Sequence, residues 1–162
     1  MATSYEKDLC KVNNIISCYI SAVNTTSQDP VGAATKVSKF FACDGKFVTE
    51  SAVFTGPKEI RKTLIEYGTE YPETDQHIKK KGIFWDPVKR LAFVPWLWSA
   101  VPTQDGIVKK GKRYYQDDFV VFVFNCDWEI IYYHERFNPS QTKSTLMYPF
   151  AGPNCEDMCG CN

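Results

Sequence analysis

The sequence predicts an α+β domain in which a cone-shaped, curved antiparallel sheet packs against three N-terminal helices. Three observations lead there. Helical periodicity is confined to the stretch before Pro72, strand-like stretches follow one another after it, and the turns between them are too short for parallel crossovers. Such a sheet must bury one face, and the upstream helices are what it has to bury it against.

The elements follow in order. Thr3 and Glu6 form a capping-box signature, and Leu9, Val12, Ile16, Tyr19, Ile20 and Val23 then recur at helical spacing. Asp29-Pro30 supplies an N-cap and a first-turn proline for a second helix, whose apolar face runs through Ala33, Val37, Phe40 and Phe41 to a stop at Asp44-Gly45. Lys46 to Thr55 is rich in β formers and bends at Glu50-Ser51, which reads as a short hairpin or bulged strand. Gly56-Pro57 opens a third helix that buries Ile60, Leu64, Ile65 and Tyr67 and ends at Tyr71-Pro72. Four strands follow, His77 to Trp85, Arg90 to Val101, Lys112 to Asn125 and Trp128 to Asn138, with turns at Asp86-Pro87, Thr103 to Gly106 and Asn125 to Asp127. Residues 1–140 thus read as the domain and 141–162 as a Cys-rich tail, in which Met147, Tyr148 and Phe150 are candidates to anchor it or cover a pocket.

Composition narrows the function. The 162 residues carry 19 basic and 19 acidic side chains, so no net field gathers nucleic acid, and nucleic acid is not an expected partner. Neither a basic-then-apolar leader nor a membrane-length apolar run is present, which leads us to expect a cytoplasmic protein without a membrane partner. An odd count of seven Cys then favours reduced thiols, and Cys10, Cys18 and Cys43 read as small buried hydrophobes in helical patterns. Aromatic residues make up 15% of the chain, enough to wall a ligand-sized hollow or simply to pack a sheet.

Two segments carry a resemblance to a known family. One is Phe41-Ala42-Cys43-Asp44-Gly45-Lys46-Phe47-Val48-Thr49-Glu50, continuing into Gly56-Pro57-Lys58-Glu59-Ile60; the other is Asp127-Trp128-Glu129-Ile130-Ile131-Tyr132-Tyr133-His134-Glu135-Arg136-Phe137-Asn138-Pro139. With the order of elements, they make residues 5–140 resemble the superfamily of nuclear transport factor two, ketosteroid isomerase, scytalone dehydratase, limonene epoxide hydrolase and the SnoaL-like polyketide cyclases. The resemblance implies an apolar cone that holds a hydrophobic polyketide- or terpenoid-like molecule. It further implies isomerisation, cyclisation or dehydration without a cofactor, and a homodimer formed through the outer sheet face. A non-catalytic binding or dimerisation module of the same fold is the alternative. The sequence departs from the family pattern at two points: the position of the isomerase's base falls on Thr49, with Glu50 next to it, and the terminal aspartate is Asn138.

The candidate chemistry lies on the last two strands. By the resemblance, Tyr133 and Glu135 take the places of a pocket tryptophan and a water-delivering acid in limonene epoxide hydrolase. Alternation sends His134 and Glu135 to opposite faces, so a regular strand aims one of them inward. On the neighbouring strand Asp117 or Asp118 is the complementary acid, because two carboxyls in one apolar pocket separate in proton affinity and provide an acid and a base. Asp118 shares parity with Val120, Phe122 and Phe124, and Asp117 with Phe119, Val121 and Val123, so periodicity does not choose between them. Glu50 is a further candidate acid/base, or a solvated turn carboxylate. Tyr19, Tyr67, Tyr115 and Tyr133 are candidate hydroxyls for developing oxyanion charge, and Trp96 and Trp98 a candidate wall for a flat ligand; each reads equally as sheet or core packing. Cys155, Cys159 and Cys161 lack a second ligand pair at zinc spacing, so no metal is expected. Nor does a phosphate cradle or nucleophile motif occur.

Overall fold

The computed structural model describes residues 3–79, 82–105 and 109–137. Helix α1 (Ser4–Val23) begins at the expected capping box: Thr3 Oγ1 accepts from the Glu6 amide at 3.2 Å while Glu6 Oε2 accepts from the Thr3 amide at 2.6 Å. Its buried side is Val12, Ile16, Tyr19, Ile20 and Val23, matching the predicted stripe. Helix α2 (Pro30–Ser38) is capped by Asp29, whose Oδ1 accepts from the Gly32 amide at 2.8 Å. It ends sooner than the apolar spacing suggests. Phe41 opens a strand instead of closing the helix, and Asp44-Gly45 lies within that strand.

This strand, β1 (Phe41–Val48), turns back through Glu50-Ser51 into β2 (Val53–Thr55), giving the expected hairpin with Val48 opposite Val53. Helix α3 (Gly56–Glu70) follows, and then β3 (Asp75–Ile78), β4 (Phe84–Asp86), β5 (Leu91–Ala100), β6 (Tyr114–Phe124) and β7 (Ile130–Phe137). The first predicted long strand is therefore two short ones, β3 and β4, which pair with opposite ends of β5.

The sheet runs β2-β1-β7-β6-β5-β3, with β4 also on β5. Every pairing is antiparallel except one, because the chain returns after β6 to lay β7 parallel to β1. Gly45 permits that approach at an irregularity in the β1–β7 register, since a Cβ there would come within 2.5 Å of the Ile130 carbonyl oxygen. The inner face stacks Val94, Trp96, Val120, Phe122, Phe124, Ile130 and Tyr133 against α1, and all are buried. Tyr19 on α1 centres this layer, contacting the rings of Phe41, Trp96, Phe122 and Tyr133.

The cysteines differ from the sequence reading. Cys43 is exposed on β1, Cys10 is half-buried, and Cys18 is disulfide-bonded rather than a reduced thiol. Among the described residues no helix is long and apolar enough to cross a membrane. The 140/141 boundary, Met147, Tyr148, Phe150 and the Cys155, Cys159 and Cys161 set lie outside the described residues.

Candidate active site

Between the inner sheet face and helices α1 to α3 the side chains leave a cavity of about 610 Å³. Its size suits a drug-sized organic molecule. Tyr19, Val37, Phe47, Leu64, Tyr67, Tyr71, Trp98, Tyr114 and Tyr133 line it, and Glu135 and Gln116 lie on its sheet wall.

Strand alternation decides what faces it. Tyr133 and Glu135 point inward from β7, whereas Tyr132 and His134 share the other face, where the Tyr132 hydroxyl lies 3.2 Å from His134 Nδ1. His134 is therefore not a pocket group. On β6 the inward series is Gln116, Asp118, Val120, Phe122 and Phe124, all buried. Asp117 falls on the opposite face in an ion pair with Lys79, so Asp118 is the acid beside Glu135.

The Glu135 carboxylate accepts from the Tyr133 hydroxyl at 3.0 Å. Its proton affinity is raised by burial, opposed by donation from Tyr133 and by the nearness of Asp118 and Trp96. Asp118 is only 4% exposed, and burial first, then the Glu135 charge, push its pKa up to about 9. Both oxygens of Asp118 and the Trp96 Nε1 lack a hydrogen bond of normal geometry, so they approach Glu135 without fully bonding it. Buried side by side, the two carboxyls oppose each other's ionisation and titrate as a pair, both with proton affinity raised. Burial, and next the Glu135 charge, also hold the Tyr67 and Tyr133 hydroxyls protonated far beyond the ordinary phenol range, which makes them donors and not bases.

The remaining sequence candidates divide. Trp98 lines the cavity, and its Nε1 donates to the Tyr67 hydroxyl and, at 2.9 Å, to Thr74 Oγ1. Trp96 is fully buried opposite Asp118 and does not line the cavity, packing instead against the lining residues Tyr19 and Tyr133. Tyr19 and Tyr67 line the cavity; Tyr115 does not, because its parity turns it into a polar groove with Ser99 and Arg113. Glu50 sits exposed at the rim.

Sequence reasoning missed Gln76, Gln116, Tyr71 and Tyr114, all of which line the cavity. Gln116 was visible as the residue two before Asp118 on one parity of β6. Gln76 was not, because the β3 register that sets it opposite Trp98 is a tertiary fact. Among the described residues no cluster of three or more His, Cys, Asp or Glu is placed to hold a metal ion.

Comparison with known proteins places this geometry. No family profile matches the sequence, and no curated protein matches it. Solved structures do match. An NTF2-like protein of unknown function from Exiguobacterium sp. 255-15 superposes with a TM-score of 0.64 at 13% identity, covering 78% of this chain and 99% of that one. A hypothetical protein with a ketosteroid isomerase-like fold from Catenulispora acidiphila, solved with trimethylamine, gives 0.63 at 13%, covering 79% and 88%. SalBIII, an epoxide hydrolase/cyclase-like enzyme in pyran ring formation in the polyether salinomycin, gives 0.63 at 15%, covering 80% and 92%. At these identities the likeness is one of fold, and it defines the chain's class: an α+β protein with the nuclear transport factor two-like, ketosteroid isomerase-like fold.

Proposed function

We propose that this protein is a cofactor-independent acid/base enzyme that isomerises, cyclises or dehydrates a hydrophobic small molecule of polyketide- or terpenoid-like bulk. One observation carries the reading: a carboxylate, Glu135, faces a largely apolar cavity beside a buried acid that keeps its proton. Glu135 takes a proton from carbon or oxygen of the bound molecule and returns it to another position. Positioned proton transfer of this kind contributes about 10²–10⁴ in rate. Asp118 does not line the cavity and acts as a positioning residue: by keeping its own proton it leaves the charge on Glu135, and its nearness tempers the rise in that group's proton affinity that burial causes. The Tyr67 hydroxyl is a donor available to charge developing on a substrate oxygen. The role of SalBIII in pyran ring formation supports keeping cyclisation within the set.

Two probe reactions test it. Base-catalysed hydrogen/deuterium exchange at the α-carbons of 2-indanone reports proton abstraction, and hydrolysis of styrene oxide reports epoxide opening. We expect the protein to accelerate at least one of them and Glu135→Gln to abolish that acceleration. Equal rates for the two proteins in both reactions would remove Glu135 from the chemistry.

A second reading is favoured by the outer sheet face. Phe93 and Phe119 are 36% and 41% exposed there with ring centroids 5.2 Å apart, and Phe84 on β4 is 65% exposed. Apolar rings left in water on a broad sheet suit a homodimer interface, with the cone serving for ligand storage. Dimerisation is compatible with catalysis.

A further inference from the structure

The described residues lining the cavity include four carboxylates, Glu50, Glu70, Asp105 and Glu135, and no lysine, arginine or histidine. The chain as a whole balances its charges, so the imbalance is local to this cleft. A cleft lined by one sign of charge with low-dielectric walls concentrates its field on whatever enters.

Carboxylates alone would not make a site, but two independent features point to a ligand. Trp98 is ringed by Tyr71 at 5.6 Å and 75° and by Tyr114 at 6.0 Å and 72°. All three rings line the cavity, and an aromatic face within about 6 Å of a cation attracts it through the ring quadrupole. Directly opposite Trp98 on β3 stands Gln76, only 5% exposed, which lines the cavity with its Oε1 lacking any hydrogen-bond partner. A buried carboxamide oxygen without a donor calls for a partner, and a turn of the Gln76 side chain toward the cavity it lines would give it a ligand N–H.

We propose that the ligand is a protonated amine on an apolar body. Its ammonium group lies at the Gln76–Trp98 wall near Tyr71 and Tyr114, with Glu70 and Asp105 supplying the opposite charge from the rim. This rests on the reading of the cavity as the reaction site and deepens it. The Trp98 level is four residues along β6 from Val120, the residue paired with Glu135, so the two ends of the ligand are about 13 Å apart along the strand. The ammonium therefore leaves the Glu135 charge free for proton transfer.

Three probes of similar shape separate the possibilities: N,N-dimethylbenzylamine, cationic at neutral pH; isobutylbenzene, its neutral isostere; and phenylacetate, an anion. Binding to the full-length protein is measured by calorimetry and tryptophan fluorescence at low and moderate salt. We expect the amine to bind at least tenfold tighter than isobutylbenzene, with phenylacetate weakest. The double variant Glu70→Gln with Asp105→Asn, and separately Gln76→Leu, should each weaken the amine about fivefold or more and leave isobutylbenzene unchanged. Equal or tighter binding of isobutylbenzene overturns the charge preference alone and leaves the cavity as a ligand site. Absence of binding by all three overturns the preference and the site together. Since binding is read without turnover, a protein that binds the amine but fails both probe reactions would sustain this inference and sink the enzymatic one.

Discussion

Asp118 lies diagonally across the β6–β7 pair from Glu135, one inner-face step along β6 from Val120, the residue directly opposite the glutamate. Diagonal neighbours on one sheet face are within reach of long side chains. Two carboxyls at that spacing, both buried, cannot ionise together without a large cost, so they titrate as a unit. Much of the expected behaviour of the protein comes from this one relationship.

Catalysis should discriminate between adjacent residues on β7. Glu135→Gln is expected to lower kcat in a responsive probe reaction by about 10²–10⁴, whereas His134→Ala, on the far face, should change it less than about twofold. Initial rates on both purified variants check this. A large loss in His134→Ala with none in Glu135→Gln would mean the strand presents its other face to substrate.

Stability should fall with rising pH because of Asp118. Its folded-state pKa of about 9 lies above the ordinary aspartate value, so between the two the folded chain holds a proton that the unfolded chain has released. Stability from this group is thus complete at acid pH, declines as pH climbs through that interval, and levels off above about 9. Asp118→Asn mimics the protonated acid and should remove the part of the decline that Asp118 contributes, leaving the part that burial of Glu135 causes. We expect it to be more stable than the parent at pH 8 by on the order of a few kcal/mol, with the gap closing toward pH 4. Denaturant titrations across that range measure it, and parallel curves for the two proteins would contradict it.

The Trp98 anchor should show redundancy. Its Nε1 is accepted by the Tyr67 hydroxyl and by Thr74 Oγ1, and those two oxygens lie 3.0 Å apart. Tyr67→Phe or Thr74→Val alone leaves the indole one acceptor and should cost about 0.5–1.5 kcal/mol. Both together orphan a buried donor, so the double variant should lose more than the sum, by about 1 kcal/mol. A double-mutant cycle in chemical denaturation reads the coupling directly.

Self-association should depend on Phe93 and Phe119. Replacing both with lysine places like charges where apolar rings would meet, and the pair is half-exposed, so folding should change by less than about 1 kcal/mol. Sedimentation velocity should show a dimer for the parent and a monomer for the variant. An unchanged sedimentation coefficient would move the interface elsewhere.

How far the sequence reached depended on whether the signal was local. The α1 capping box and apolar stripe were legible because hydrogen bonds and burial there repeat within a few residues of the chain. Phe40 and Phe41 misled the reading of α2, since two apolar residues after a helix continue its pattern, while pairing with β7 pulls Phe41 into a strand and Phe40 stays in the turn before it. Asp117 and Asp118 were indistinguishable for a related reason: β6 carries apolar residues on both faces, so alternation gives two equally greasy sides.

What the sequence determined by itself was the order of helices and strands, the inward or outward alternation along β7, and the absence of any net charge. What only the tertiary structure decided was which face of β6 meets the helices, that β7 lies parallel to β1, and that Gln76 stands opposite Trp98. The physical reason is range. Caps and periodicity are set by neighbours a few residues away, whereas register between strands is chosen by the packing of the whole inner face, and the candidate site is made entirely of such choices.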